Sequence, residues 1–140
     1  MKTIAAILMM TLATLGMNAQ GDQKAVEKTI STYVNGADQR STSLLEACLD
    51  DNFRSIANSG DGLWISNKVA YLKLIKEERI GGDERKIEFG KIIFVDDLNA
   101  TLEVELTGAQ ASFHNLIALV KIKGNWKIVQ DLVKFSKMEG

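Results

Sequence analysis

The chain of 140 residues contains no proline, one cysteine and one histidine. Because Cys48 is the only cysteine, no intrachain disulfide can form, and packing alone must hold the fold together. The glycines are scattered, and no turn-rich or low-complexity stretch divides the chain. The length and this continuity therefore predict a single domain.

An excess of charge of one sign is also absent. The chain carries 17 Lys and Arg against 18 Asp and Glu, which gives a formal net charge of −1. Without a basic block, nucleic acid is not an expected partner. No phosphate loop, dinucleotide fingerprint or metal-spaced His/Cys set occurs either. We therefore expect no cofactor and no metal site.

The longest apolar run lies at the N-terminus. Met1-Lys2 is followed by an uncharged apolar run over residues 3–15, and Ala19 supplies a small residue for cleavage before Gln20. This order is typical of a secretory signal peptide. The run is shorter than the roughly 20 residues that a membrane span needs. We predict a signal peptide at residues 1–19 and a secreted mature domain at residues 20–140, without membrane attachment.

Apolar positions at three- and four-residue steps predict three helices in the first half of the mature chain. In the first helix, Val26, Ile30, Tyr33 and Ala37 share one face. Side chains that can accept a backbone hydrogen bond precede each helix, as helix caps do. The predicted helices begin at Asp22, at Ser41 or Ser43, and at Ser66, and they end near Gln39, Leu49 and Gly81.

From Arg85 onward the apolar positions alternate, which predicts strands. Four such segments follow one another as a meander, and two short strands precede them around residues 53–57 and 63–65. The last two segments form a hairpin whose turn is either Lys123-Gly124 or Gly124-Asn125. Three helices followed by this meander predict an α+β domain with helices on one face of an antiparallel sheet.

Three motifs resemble the nuclear-transport-factor-2-like superfamily and, within it, a secreted bacterial lumazine-binding branch. They are Tyr33-x-x-Gly36, Gly62-Leu63 and Lys121-Ile-x-Gly-x-Trp-Lys-Ile128. The resemblance implies a cone-shaped curved sheet with the three N-terminal helices packed on its concave face around a pocket. It also implies a bacterial periplasmic location and a homodimer formed through the sheet. The family often has an acidic residue after the first motif, where this chain has Ser41.

His114 is the only side chain whose unperturbed pKa lies near neutrality. If the turn is Lys123-Gly124, cross-strand pairing makes Asp131 a diagonal neighbour of His114, and its carboxylate could orient the imidazole as a general base. If the turn is Gly124-Asn125, the two residues separate. His114 and Asp131 are thus an alternative catalytic pair only.

Four residues form the predicted ligand-binding set. Tyr33 and Trp64 each combine a large apolar body with a polar tip. By strand alternation, His114 and Leu116 share one face of the sheet. An outward sheet face that is still apolar predicts an interface, here a homodimer.

These observations favour a secreted, non-catalytic domain that binds a small, largely apolar ligand in a cone-shaped pocket. The first alternative is an isomerase or cyclase resembling ketosteroid isomerase or polyketide cyclase, using His114 with Asp131. The second is a protein-interaction module with a vestigial pocket. Pocket volume and lining distinguish them, because a ligand site needs an open cavity with a few polar groups.

Overall fold

The structure is a computed structural model that describes residues 21–138. The predicted signal peptide at residues 1–19 lies outside the described residues. Helix α1 covers residues 21–38, and no described helix is long and apolar enough to cross a membrane. The other elements are α2 (Thr42–Cys48), β1 (Leu49–Asn58), β2 (Leu63–Asn67), α3 (Lys68–Lys76), β3 (Lys86–Asp96), β4 (Asn99–Thr107), β5 (Ala111–Ile122) and β6 (Asn125–Lys137).

The six strands form one open, curved sheet in the order β2-β1-β6-β5-β4-β3. The predicted α+β fold, with three helices on the concave face, is confirmed. The sheet is mixed rather than wholly antiparallel, however, because β1 pairs with β6 in parallel. Alternation reports which residues share a face but carries no information on strand direction, so this pairing was not visible in the pattern.

Two helix starts show side-chain capping. The Ser41 hydroxyl accepts a hydrogen bond from the backbone N–H of Leu44 at 3.3 Å, so Ser41 caps α2, one of the two predicted choices. Helix α3 begins one residue later than predicted, because the Asn67 side chain accepts from the Ala70 N–H at 2.9 Å. Asn therefore replaces Ser66 in the capping role.

Asp22 fastens α1 to the C-terminal hairpin. Residue 22 is already helical, and its carboxylate accepts hydrogen bonds from Trp126 Nε1 at 3.1 Å and Lys121 Nζ at 3.0 Å. Trp126 is 5% exposed. Asp22 therefore does not cap the helix as predicted. It makes a tertiary contact that holds the first described turn of α1 against the sheet.

An aromatic cluster fills the space between the helices and the concave face. Tyr33 of α1, Phe53 of β1 and Tyr71 of α3 have ring centroids 5.4–6.0 Å apart, and all three are buried. Phe53 meets each of the two tyrosine rings edge to face, which is a favourable arrangement at this spacing. The cluster fixes one end of α1 relative to both other elements.

Gly81 holds the segment after α3 against the end of α1. Its φ is +78°, and a Cβ there would lie 2.4 Å from the carbonyl oxygen of Ala37. The same oxygen accepts from the Gly82 N–H at 3.0 Å. Only glycine fits this approach. Helix α3 has already ended at Lys76, so Gly81 shapes the connection rather than ending the helix as predicted.

The C-terminal hairpin has the first of the two predicted turns. Ile122 pairs with Asn125, which leaves Lys123 and Gly124 as the two turn residues, with φ values of 51° and 81°. Positive φ at both positions is the signature of a type I′ turn, whose twist matches that of the flanking strands.

A bulge in β6 changes the register beyond this turn. The pairing shifts by one residue at Val129, so Asp131 lies opposite Ile117. Uninterrupted pairing from the turn would have placed it opposite Leu116. A shift of one residue moves a side chain to the other face of a sheet. Asp131 therefore points to the concave face, which it shares with Asn115.

Candidate functional site

A cavity of about 470 Å³ lies between the helices and the concave face of the sheet. This size falls within the range of small-molecule sites, about 300–1,000 Å³. Aromatic rings, carboxylates and guanidinium groups all contribute to its wall. The lining includes Tyr33, Tyr71, Arg85, Phe113, Asn115 and Asp131.

Asp131 is the most deeply buried acid in the cavity wall, at 1% exposure. Its Oδ2 accepts a hydrogen bond from the Tyr33 hydroxyl at 2.5 Å and another from Asn115 Nδ2 at 3.1 Å. Burial raises the pKa of Asp131 to about 6, while these donors and the Arg85 charge act in the opposite direction. The carboxyl group therefore changes charge just below neutral pH.

Two oxygens in the cavity wall have no hydrogen-bond partner among the described residues. They are Asp131 Oδ1 and Asn115 Oδ1, and both are buried. Buried polar atoms are nearly always paired, so unpaired ones are informative. Both residues line the cavity, which makes a ligand or water in the cavity the natural partner.

Two tyrosines bring hydroxyl groups into the same region. Burial raises the pKa of Tyr33 well above its ordinary value, with the nearby Asp131 charge as the next cause. Burial also raises the pKa of Tyr71. Both side chains therefore remain protonated, and the Tyr33 O–H stays a donor to the Asp131 carboxylate across the physiological range.

Arg85 is held by Asp38 at the edge of the cavity. Its Nε lies 2.6 Å from Asp38 Oδ1, and its backbone N–H donates to Oδ2 at 3.0 Å. The guanidinium lies 4.9 Å from the centroid of the Phe113 ring, a cation–π distance. Since Asp38 takes up this charge, no described residue forms an ion pair with Asp131.

Of the residues predicted from the sequence to bind ligand, Tyr33 lines the cavity. His114 and Leu116 lie on the outer face of the sheet, where the Leu116 side chain is 46% exposed. His114 contacts two carboxylates there, with Nε2 2.7 Å from Glu103 Oε1 and Nδ1 3.2 Å from Glu105 Oε1.

The alternative pair of His114 with Asp131 does not form. The bulge at Val129 turns Asp131 to the concave face, so the sheet separates the two side chains. Trp64 is also outside the cavity lining. It lies on the edge strand β2, opposite Ala57, and is 69% exposed. Trp64 therefore lies at the edge of the sheet and not in the pocket.

Sequence reasoning missed three functional candidates, namely Tyr71, Arg85 and Asn115. Asn115 carried a visible signal, because it is a polar residue on the apolar face of a central strand. Tyr71 was hidden because apolar residues of α3 do not all face inward: Val69 is 77% exposed, whereas the helix buries Tyr71 and Ile75. Among residues 21–138, no group of three or more His, Cys, Asp or Glu is placed to hold a metal ion.

Several solved structures, some described as nuclear-transport-factor-2-like proteins, share the fold of this chain. One is an NTF-2 like protein of unknown function from Silicibacter pomeroyi, with a TM-score of 0.74 and 16% identity over 84% of this chain and 98% of that one. Another is described as a putative scytalone dehydratase from Novosphingobium aromaticivorans, with a TM-score of 0.65 and 16% identity over 86% of this chain and 88% of that one.

A third similar structure is LinA, described in a second structure as a hexachlorocyclohexane dehydrochlorinase. It has a TM-score of 0.69 and 15% identity over 89% of this chain and 95% of that one. No curated protein sequence matches the chain. Residues 21–133 match the family described as "Putative lumazine-binding", and the chain belongs to that family.

Proposed function

We propose that this chain is a binding domain that holds a small, largely apolar molecule in the cavity, with Asp131 as its polar anchor. The observation that carries this proposal is the cavity of about 470 Å³ around a carboxyl group with one unpaired oxygen. Such a pocket, with few convergent polar groups, is typical of small-molecule sites. Because side chains leave the cavity open, the alternative of an interaction module with a vestigial pocket loses support.

Filling the cavity should abolish ligand retention. Val133 lines the cavity, so Val133→Trp would occupy its volume, whereas Leu132→Trp places the same ring on the outer face. Native mass spectrometry of protein purified from its own host should show a bound small molecule with wild type and Leu132→Trp, and none with Val133→Trp. A wild-type protein that carries no ligand, or equal retention by both variants, would contradict the proposal.

A second candidate function is proton transfer within the same cavity. The observation that favours it is that Asp131 combines an unpaired Oδ1 with a pKa of about 6, which suits a general base near neutral pH. Asp131 then acts without His114, removing a proton from a carbon of the ligand. Chemical conversion of the retained compound by wild type and its absence in Asp131→Asn would support this function over binding alone.

We further propose that the outer face of the sheet joins two copies of the chain. Leu116 and Leu132 pair across neighbouring strands there and are 46% and 44% exposed. The half-exposed Ile65 of β2 lies in the same cross-strand row, separated from Leu132 by Ile56 of β1. Contiguous apolar surface of this kind marks interfaces.

The mass in solution tests this dimer. Light scattering at micromolar concentration should give twice the chain mass for wild type and the single-chain mass for Leu116→Glu. Leu98→Glu is the matched control, since Leu98 is a leucine of comparable exposure, 56%, in the β3–β4 turn. A wild-type monomer would refute the dimer.

The place of action follows from the signal peptide predicted at residues 1–19. We propose that the mature domain is secreted and works in a bacterial periplasm, supported by the basic start, apolar run and small-residue exit of that segment. The absence of any disulfide requirement is compatible with this location, because Cys48 is a single buried thiol.

A further inference from the structure

The hydrogen-bond pattern around Asp131 limits the chemistry of the ligand. Both donors that reach this carboxylate, Tyr33 Oη and Asn115 Nδ2, bind the same oxygen, Oδ2. The other oxygen, Oδ1, is left unpaired and buried. A carboxylate oxygen can accept two hydrogen bonds, so this position calls for a donor from outside the protein.

The orientation of Asn115 adds a second acceptor. Its Nδ2 must face the Asp131 carboxylate, because turning the amide over would place Asn115 Oδ1 against a negatively charged oxygen. Asn115 Oδ1 is therefore an acceptor as well, and it has no partner in the described part of the chain. The two residues are diagonal neighbours on the concave face, and both line the cavity.

Charge gives the third constraint. Arg85 forms an ion pair with Asp38, in which Nε lies 2.6 Å from Oδ1. No side chain of residues 21–138 forms an ion pair with Asp131. The Arg85 charge therefore acts on the Asp131 carboxylate only from a distance and without an ion pair, and an ionised group so weakly compensated is unfavourable in a buried site. A cationic donor group on the ligand would supply both the missing charge and the missing hydrogen bonds.

We propose that the cavity recognises ligands whose polar end presents two hydrogen-bond donors along one edge, as an amidine or a protonated amino-substituted nitrogen heterocycle does, with Asp131 Oδ1 and Asn115 Oδ1 as the two acceptors. This assignment rests on the proposed binding function and specifies its ligand class. Ligands that offer two acceptors on that edge, such as carboxylates, are rejected because they would oppose two oxygens.

Three probes of equal shape test the assignment. Benzamidine presents two donors on its polar edge, benzamide one donor and one acceptor, and benzoate two acceptors. Titration calorimetry at pH 7.5 should give benzamidine an affinity about tenfold or more above that of benzamide, because a buried acceptor that meets no donor loses its hydration without gaining a hydrogen bond. Benzoate should bind most weakly of the three.

Variants show which residues produce the preference for benzamidine over benzamide. Asp131→Asn should remove the advantage of benzamidine over benzamide, and Val133→Trp should abolish binding of both. Glu105→Gln, on the outer face beside His114, should leave the affinities unchanged and so excludes adventitious binding to that acidic surface. Equal affinity for the three probes, a preference for benzoate, or no binding of benzamidine would overturn the donor-pair assignment. The proposed binding function fails separately, if native mass spectrometry finds no ligand that Val133→Trp displaces.

Discussion

Lowering the pH from 7.5 to 4 should stabilise the wild-type protein by about 2.5 kcal/mol relative to its Asp131→Asn variant. Burial raises the pKa of Asp131 from 3.8 to about 6 in the folded protein. At roughly 1.36 kcal/mol per pH unit, the ionised carboxylate therefore costs about 3 kcal/mol of folding stability above pH 6. Protonation removes that cost as the pH falls through 6 toward 4, so the direction is opposite to that of ordinary acid denaturation.

The comparison with Asp131→Asn isolates this one group. Tyr33 from α1, Tyr71 from α3 and Arg85 from the segment before β3 face the carboxyl group, and they remain in both proteins. Urea denaturation across the pH range gives the two free energies of unfolding. Tyr33→Phe removes a donor that lowers the pKa of Asp131, so it should enlarge the pH effect. Parallel curves for wild type and Asp131→Asn would show that the carboxyl is not desolvated.

Replacing Asp38 with Asn should lower the free energy of unfolding by about 3 kcal/mol. The side chains of Asp38 and Arg85 are 7% and 12% exposed, and their closest atoms lie 2.6 Å apart. Removing the carboxylate leaves the Arg85 guanidinium buried against the Phe113 ring without an ion-pair partner, with only the more distant Asp131 opposite in charge. Breaking one side of a buried ion pair typically costs about 3–5 kcal/mol, and the amide retains part of the hydrogen bonding.

Glu78→Gln is the matched control for this second prediction. Glu78 contacts Arg40 at 3.9 Å, but its side chain is 73% exposed. Water and salt screen such a pair, and its loss should change the free energy of unfolding by less than about 0.5 kcal/mol. Urea denaturation of both variants at pH 7.5 provides the comparison. Similar losses in the two variants would mean that burial does not strengthen the contact between Asp38 and Arg85.

Much of the fold could be predicted from local patterns. The stripe containing Val26, Ile30 and Tyr33 indicated the buried face of α1, and alternation from Arg85 onward indicated the meander. The parallel pairing of β1 with β6 could not be predicted, because β1 joins a strand more than 70 residues later in the chain. Only tertiary packing determines which strand edge β1 meets.

The site was harder to predict because it depends on one register change. Parity counted from the correct turn, Lys123-Gly124, placed Asp131 beside His114. The bulge at Val129 reversed the face of every later residue in β6. Asp131 therefore accepts hydrogen bonds from Asn115 and Tyr33 instead of lying beside His114. A bulge leaves no mark in an alternation pattern when the extra residue is itself a valine.

The central claim is that Asp131 is a desolvated, ligand-facing carboxyl in the wall of a binding cavity. The pKa of its side-chain carboxyl, measured by ¹³C NMR titration of the ligand-free protein, tests this claim most directly. The structure predicts a value of about 6. A value at or below the 3.8 of an ordinary aspartate would contradict the account, since it would show a solvated or fully paired carboxylate with nothing left to offer a ligand.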